Sequence, residues 1–336
     1  DVYEKNTSEM LLLTPLSSQT GYFDQSTNIG NVENKGLEIG ITSYIVENQK
    51  FSWTASINGA YNKNVVTSLG TSENIPVVIR GGYITNVGIV QEGSSIGSIY
   101  GYEWDGVYQI NDFTWQNNSD PNIDYYDRVF TLKEGVVFNQ TASVTPGALK
   151  FKDLNGDGVV DAENDRKVIG NSYPDFFGGI SNSFKYGNFD LDFFLEWQYG
   201  NEIFNESKFR LEGWNLNNIT QDFFDNRWTP DNPSTTHGLR SGENPTARLA
   251  STYYVEDGSY IRLANATIGY NLPKEFLEDI GVQYLRLYVT GTNLITWTKY
   301  SGFDPDISFN NPLLTGFDRS SYPRSRSFIF GINVTF

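Results

Sequence analysis

The chain has 336 residues, and its 24 Lys and Arg against 40 Asp and Glu leave a formal charge of −16, which excludes nucleic acid as a partner because phosphate backbones are bound by clustered basic residues. The absence of cysteine and the presence of one His exclude a disulfide scaffold, a thiolate metal site and any centre needing two imidazoles. Its 23 Phe, 21 Tyr and 7 Trp sit beside 32 Gly at a mean hydropathy of −0.41, so no apolar run approaches the roughly 20 residues of a membrane helix, whereas a membrane barrel stays open because its strands alternate.

The chain begins at Asp1 with neither Met nor a leader, as expected of a processed chain or a piece of a longer one. From there, period-two alternation predicts eight strands: Val2 to Leu13, Val32 to Val46, Phe51 to Val65, Phe176 to Tyr186, Asn188 to Ile203, Tyr260 to Tyr270, Tyr284 to Ile295 and Arg324 to Phe336. In the third, Trp53, Ala55, Ile57, Gly59 and Tyr61 oppose Thr54, Ser56, Asn58 and Asn62. In the fifth, Phe189, Leu191, Phe193, Leu195, Trp197 and Tyr199 oppose Asp190, Asp192, Glu196 and Gln198. Runs of about ten residues suit a tilted bilayer crossing better than soluble strands of about five or six. Rings near both ends of the apolar faces fit aromatic girdles.

Short links at Glu47 to Lys50 and Tyr186-Gly187-Asn188 contrast with long ones at Phe204 to Gly258 and Trp297 to Pro323, matching the short periplasmic turns and long external loops of such barrels. Two further candidates, Ser98 to Gln109 and Gly147 to Lys152, enter the wall as a pair or not at all; the preferred reading makes them an extracellular elaboration. Leu272 to Glu278, opened by Pro273, reads as one helical turn leading into a periplasmic connector at Ile280 to Gln283.

At this point the sequence resembles the C-terminal part of a SusC/RagA-type TonB-dependent outer-membrane transporter of the Bacteroidetes. The resemblance rests on NVENKGLEIGI from Asn31, GSIYGYEWDGVYQ from Gly97, PGALKFKDLNGDGVVD from Pro146 and VIGNSYPDFFGGI from Val168. It continues through RLANATIGYNLPKEF from Arg262 and LRLYVTGTNLITWTKYSGFDPD from Leu285 to YPRSRSFIFGINVTF from Tyr322.

The resemblance implies an all-β, antiparallel transmembrane β-barrel of about 22 strands with long extracellular loops, of which eight to ten strands are only a portion. Residues 1–336 then form the C-terminal part of the barrel, residues 97–170 an extracellular elaboration, and the plug domain falls outside this chain. The implied location is the outer membrane of a Gram-negative cell, in contact with outer-membrane lipid. The implied partners are a SusD-like surface lipoprotein, TonB through the missing N-terminal part, and the remaining N-terminal barrel and plug. The implied function is active import of a glycan, oligosaccharide or peptide without covalent chemistry. The terminal Phe336 resembles the signal read by barrel-assembly machinery. The rival readings are a secreted soluble β-sandwich that binds carbohydrate and a secreted glycoside hydrolase.

The strongest chemical motif is the EF-hand-like loop from Asp153 to Asp165. Asp153, Asn155, Asp157 and Asp161 stand at ligand positions 1, 3, 5 and 9, the Val159 carbonyl at 7 and Gly158 at the turn, a hard-oxygen set that suits a structural Ca²⁺. Position 12 is Asn164 rather than Glu, and Asp165 follows one residue late as a further candidate ligand; the alternative is an Asp/Asn/Gly-rich turn. Asp190, Asp192 and Glu196 share a strand face, and residues two apart lie about 6.6 Å apart, near the carboxyl spacing of inverting glycosidases. No catalytic role is assigned to them, and none to His237. Trp115, Tyr125, Tyr126 and Trp214 in loops are candidates for stacking on sugars or for self-packing.

Overall fold

The computed structural model describes residues 1–336 apart from 17, 23, 71, 80–85, 116–122, 214–217, 241–244, 279–280 and 308–311. Eight strands form one antiparallel sheet in which every neighbour in the chain is a neighbour in space. They are β1 (Val2–Thr7), β2 (Asn31–Glu47), β3 (Phe51–Ser68), β4 (Phe176–Tyr186), β5 (Phe189–Tyr199), β6 (Tyr260–Asn271), β7 (Tyr284–Thr298) and β8 (Ser327–Thr335).

Register turns the alternation of single strands into two continuous faces. One row runs Ile41, Ile57, Ile180, Leu195, Leu263 and Ile295 across β2 to β7; another runs Trp53, Phe184, Leu191, Ile268, Val289 and Phe330 across β3 to β8. Among the described residues no second sheet covers this face: Ile268 is 58% exposed and Phe330 78%. That excludes the β-sandwich, whose apolar side would be buried between layers. Where Asn182 falls on the apolar face, its Oδ1 accepts from Trp53 Nε1 at 3.0 Å, so the polar group is satisfied.

Rings gather at both ends of the apolar face. Trp53 stacks on Phe184 at 5.4 Å and Phe189 meets Tyr270 at 4.6 Å at the short-turn end; Tyr61 meets Phe176 at 5.2 Å at the other. From Phe189 to Tyr199 the strand covers about 34 Å, which at a tilt of about 45° spans roughly the 25 Å apolar band of an outer-membrane barrel.

Four excursions leave the wall at the long-loop end and pack into one cap. Leu12, Val66, Ile99, Tyr102, Phe151, Phe204, Trp228 and Phe317, from widely separated segments, share a single buried core. Within it Ser98–Tyr102 joins Arg166–Asn171, Asn74–Val78 and Asn86–Gln91 in a four-stranded sheet, while Trp104–Val107 pairs with Leu149–Phe151. The two optional strands therefore lie outside the wall.

Several expected boundaries are corrected. The first strand ends at Thr7 instead of Leu13, because Glu9 takes a left-handed conformation at φ 54° and Leu11–Pro15 turns to pair with Asp24–Asn28. The fifth ends at Tyr199 instead of Ile203: Gly200, at φ 90°, redirects the chain so that Glu202–Asn205 pairs with Val255–Asp257 and, in parallel, with Phe317–Asp318. The last begins at Ser327 instead of Arg324, whose side chain is held by Asp306 of the preceding loop and Glu196 of β5. The helical turn after Pro273 is present as Lys274–Phe276; the connector expected at Ile280 to Gln283 begins outside the described residues.

Candidate functional site: the polar face of the wall

Opposite the apolar face, the polar side chains sort by height. At the long-loop end the buried Arg262 on β6 contacts Glu196 of β5 at 3.3 Å and Asp306 at 3.6 Å, and it also binds Asp304. Arg324 joins Glu196 at 3.4 Å and binds Asp306 as well. Two guanidinium groups and three carboxylates thus pin the loop after β7 to the inner wall. At the short-turn end Arg286 on β7 reaches Asp190 on β5 with Nε–Oδ1 at 3.1 Å, and Asn271 adds a hydrogen bond to Asp190.

Between these clusters lies a belt of hydroxyls. One row runs Thr42, Ser56, Ser181, Phe194, Asn265, Thr292 and Ser327; the next runs Thr54, Ser183, Asp192, Thr267 and Thr290. Neither row contains Lys or Arg. Glycines in the same face make room for large neighbours: a Cβ at Gly331 would collide with the Tyr288 ring, and one at Gly179 would stand 2.5 Å from the Phe194 ring. The acids on β5 do not form a catalytic pair, since Asp190 and Glu196 are both consumed in ion pairs at opposite heights.

In the cap, the acidic loop is closed by its own backbone. Asp153 accepts from Gly156 N–H at 2.6 Å and Gly158 N–H at 2.7 Å; Asp157 accepts from Val159 N–H at 2.8 Å, and Asp161 from Asn164 N–H at 2.7 Å. The backbone and side-chain N–H groups of Asn164, with the backbone N–H of Glu163 at 2.8 Å, donate to the Asp161 carboxyl and hold it below its ordinary value. Asn155 donates to Asp157 at 2.9 Å. Asp165 is fully buried and braces the loop from inside, accepting from Leu154 N–H at 2.6 Å and Asp161 N–H at 2.8 Å. Lys152 before the loop and Lys167 after it both bind Glu103, which holds that carboxyl below its ordinary value. The donor chemistry suits Ca²⁺, but among the described residues no three acidic or imidazole side chains are arranged as a metal cage.

The remaining candidates are placed as follows. His237 stands 3.5 Å from Asp222 and hydrogen-bonds Thr236 at 3.0 Å. Tyr125 packs on Phe130 at 5.2 Å and on Trp228 at 5.8 Å, while Arg128 lies over Trp115 at 4.9 Å, so these two rings serve the cap itself. Trp214 and the side chain of Tyr126 fall outside the described residues. Sequence reasoning singled out Glu196 but missed Arg262 and the loop acids Asp304 and Asp306, although the Asp-Pro-Asp run after Phe303 was a visible signal.

A long antiparallel meander with one apolar face ringed by aromatics and one hydroxyl-rich face is a segment of a transmembrane β-barrel wall. No family model matches the chain. It is 36% identical along its whole length to TonB-dependent receptor P3 of Formosa agariphila, covering 32% of that protein. It is 25% identical to TonB-dependent receptor SusC of Bacteroides thetaiotaomicron, again along its whole length and over 30% of that protein. The RagAB peptide transporter has the same fold over the whole chain, with a TM-score of 0.74 at 22% identity, this chain covering 32% of it. Along its whole length the chain is similar to TonB-dependent receptors, SusC among them, and it spans about a third of the length of the curated relatives it matches.

Proposed function

We propose that this chain forms part of the wall and the external cap of an outer-membrane importer that carries a large nutrient, a glycan, oligosaccharide or peptide, with energy supplied through TonB. The observation that carries this reading is the registered pair of faces: eight strands present lipid-compatible rows outward and a polar belt inward. The apolar band and its girdles match a bilayer, which in turn requires closure by further strands, since an open sheet edge cannot face hydrocarbon. The short-turn end is then periplasmic and the cap external, where a SusD-like lipoprotein sits as a lid. The polar face lines the route, and no covalent step is part of the function. Support for the partners comes from the relatives named SusC and RagAB.

The test is fractionation of the full-length receptor. Membrane retention after carbonate extraction and heat-modifiable migration support the reading; a detergent-independent soluble protein overturns it.

Within this proposal the Asp153–Asp165 loop takes Ca²⁺ as a structural ion through Asp153, Asn155, Asp157, Asp161 and the Val159 carbonyl, with Asp165 as brace. The spacing of hard oxygens supports it. A cap melting temperature that rises on adding millimolar Ca²⁺ after chelation supports the ion, and an unchanged one removes it.

A further inference from the structure

The cap holds a buried acid that is only half engaged. Glu212, on the helical turn Phe209–Gly213, is 8% exposed, and its Oε2 accepts from the Tyr253 hydroxyl at 2.9 Å. Its other oxygen, Oε1, takes no hydrogen bond among the described residues. Lys208 does not fill that place. Its Nζ donates to the Tyr253 carbonyl at 3.2 Å and lies 4.3 Å from the centre of the Tyr253 ring, so it pulls on Glu212 electrostatically without bonding to it. Burial has the largest influence on this carboxyl and disfavours its charged form, and the acids Asp222 and Glu256 act in the same direction. A neutral carboxyl has an O–H to donate and an ionised one has two accepting oxygens, so in either form Oε1 lacks a partner.

A small hollow lies beside this oxygen. Leu149, Phe223, Leu239 and Ala247 line it together with Glu212, Tyr253 and Tyr254, and they leave about 10 Å³ in which the centre of a water molecule can move. That is room for a single water, which needs roughly 10–15 Å³ by this measure and two to four polar partners. Tyr254 is buried and donates its hydroxyl to the Ala247 carbonyl at 2.8 Å; its oxygen, like that of Tyr253, keeps a lone pair free to accept.

We propose that this hollow is a binding site for one internal water, held by Glu212 Oε1 and the hydroxyls of Tyr253 and Tyr254. An apolar hollow of the same size would stay dry, but this one presents a carboxyl and two phenols. Water both donates and accepts, so it serves Oε1 whether or not the acid carries its proton. A metal ion in its place would be repelled by Lys208, and an organic ligand does not fit. Leu149 belongs to the excursion between β3 and β4 and the other lining residues to the excursion between β5 and β6, so the water joins two excursions inside the shared core. Every group of the site lies in the cap of this chain, and neither the plug nor the cargo is needed to complete it.

The experiment is a structure of the full-length receptor in detergent at a resolution that shows ordered water, for wild type, Glu212→Gln and Glu212→Met. The expected result is one solvent peak within hydrogen-bond distance of Glu212 Oε1 in wild type, kept in Glu212→Gln, whose amide both donates and accepts, and lost in Glu212→Met. A wild-type hollow that is empty, or filled by a side chain, overturns the site. A peak that persists in Glu212→Met overturns the acid as its anchor. Should Glu212→Met fail to fold, Ala247→Val narrows the hollow from another wall while leaving the acid in place. Loss of the peak in that variant supports the site, and a peak unmoved by it places the water elsewhere and overturns the assignment.

Discussion

Asp190 on β5 and Arg286 on β7 are not on adjacent strands; they meet across β6, directly above Gly269. A Cβ at Gly269 would stand 2.6 Å from Arg286 Nε and closer still to Asp190. The glycine is therefore what allows the charges to bridge three strands. Gly269→Ala is expected to separate the pair and lower wall stability by about 2 kcal/mol, the scale of a hydrogen bond to a charged group. Urea unfolding of the receptor in detergent measures this; a change below 0.5 kcal/mol, as an order-of-magnitude bound for an ordinary surface site, contradicts the bridging role.

Ile268 and Thr267 are consecutive on β6 yet face opposite media. Ile268→Arg is expected to cost about 1–2 kcal/mol of folding free energy in lipid, between the roughly 0–1 of an interface and the 2–4 of the midplane, because Ile268 lies two residues inside the girdle ring Tyr270. Thr267→Arg is expected to fold nearly as well as wild type. Folding yields in liposomes, read by heat-modifiable migration, give the comparison, and equal yields would contradict the assignment of faces.

Arg262 is 1% exposed and surrounded by Glu196, Asp304 and Asp306. Arg262→Met leaves three carboxylates with only Arg324 to balance them, a change expected to cost about 3–5 kcal/mol. The loop after β7 should then loosen, and limited trypsin digestion should cut at Arg319 and Arg324 faster than in wild type. Unchanged cleavage would show that Tyr300, whose OH donates to Asp318 at 2.6 Å, secures the loop without the arginine.

Glu212 in the cap accepts a hydrogen bond from Tyr253 at 2.9 Å, and burial pushes its carboxyl above the ordinary 4.5 despite the pull of the nearby Lys208 and of that hydrogen bond. The folded cap holds this proton more tightly than the unfolded chain does. The resulting stabilisation is complete below pH 4.5 and is lost as pH rises through the raised value. Glu103 has the opposite sign: its lowered carboxyl contributes above 4.5 and is lost as pH falls through the depressed value. Glu212→Gln should flatten the alkaline side of the cap's melting curve against pH, and Glu103→Gln the acidic side.

The wall was legible because membrane strands obey one rule, period two, over ten residues, and seven of the eight expected strands differ from the observed ones only at their ends. Alternation carried the first strand through Glu9 because nothing in its side chain announces a left-handed φ. The cap was illegible for a different reason. Residues such as Phe151, Phe204 and Trp228 are buried by contacts between distant excursions, which leave no local periodicity. The acids of β5 were visible as a shared face, but the ion pairs of Glu196 and Asp190 depended on Arg262 and Arg286 arriving from two other strands.

The shared core of the cap bears on how such receptors diversify. Because one interior is assembled from four separate excursions, exchanging a single loop with a relative would open a void or a clash against the other three. New cargo preferences should then arise by point changes on exposed positions, or by inheritance of the whole block, rather than by shuffling loops one at a time.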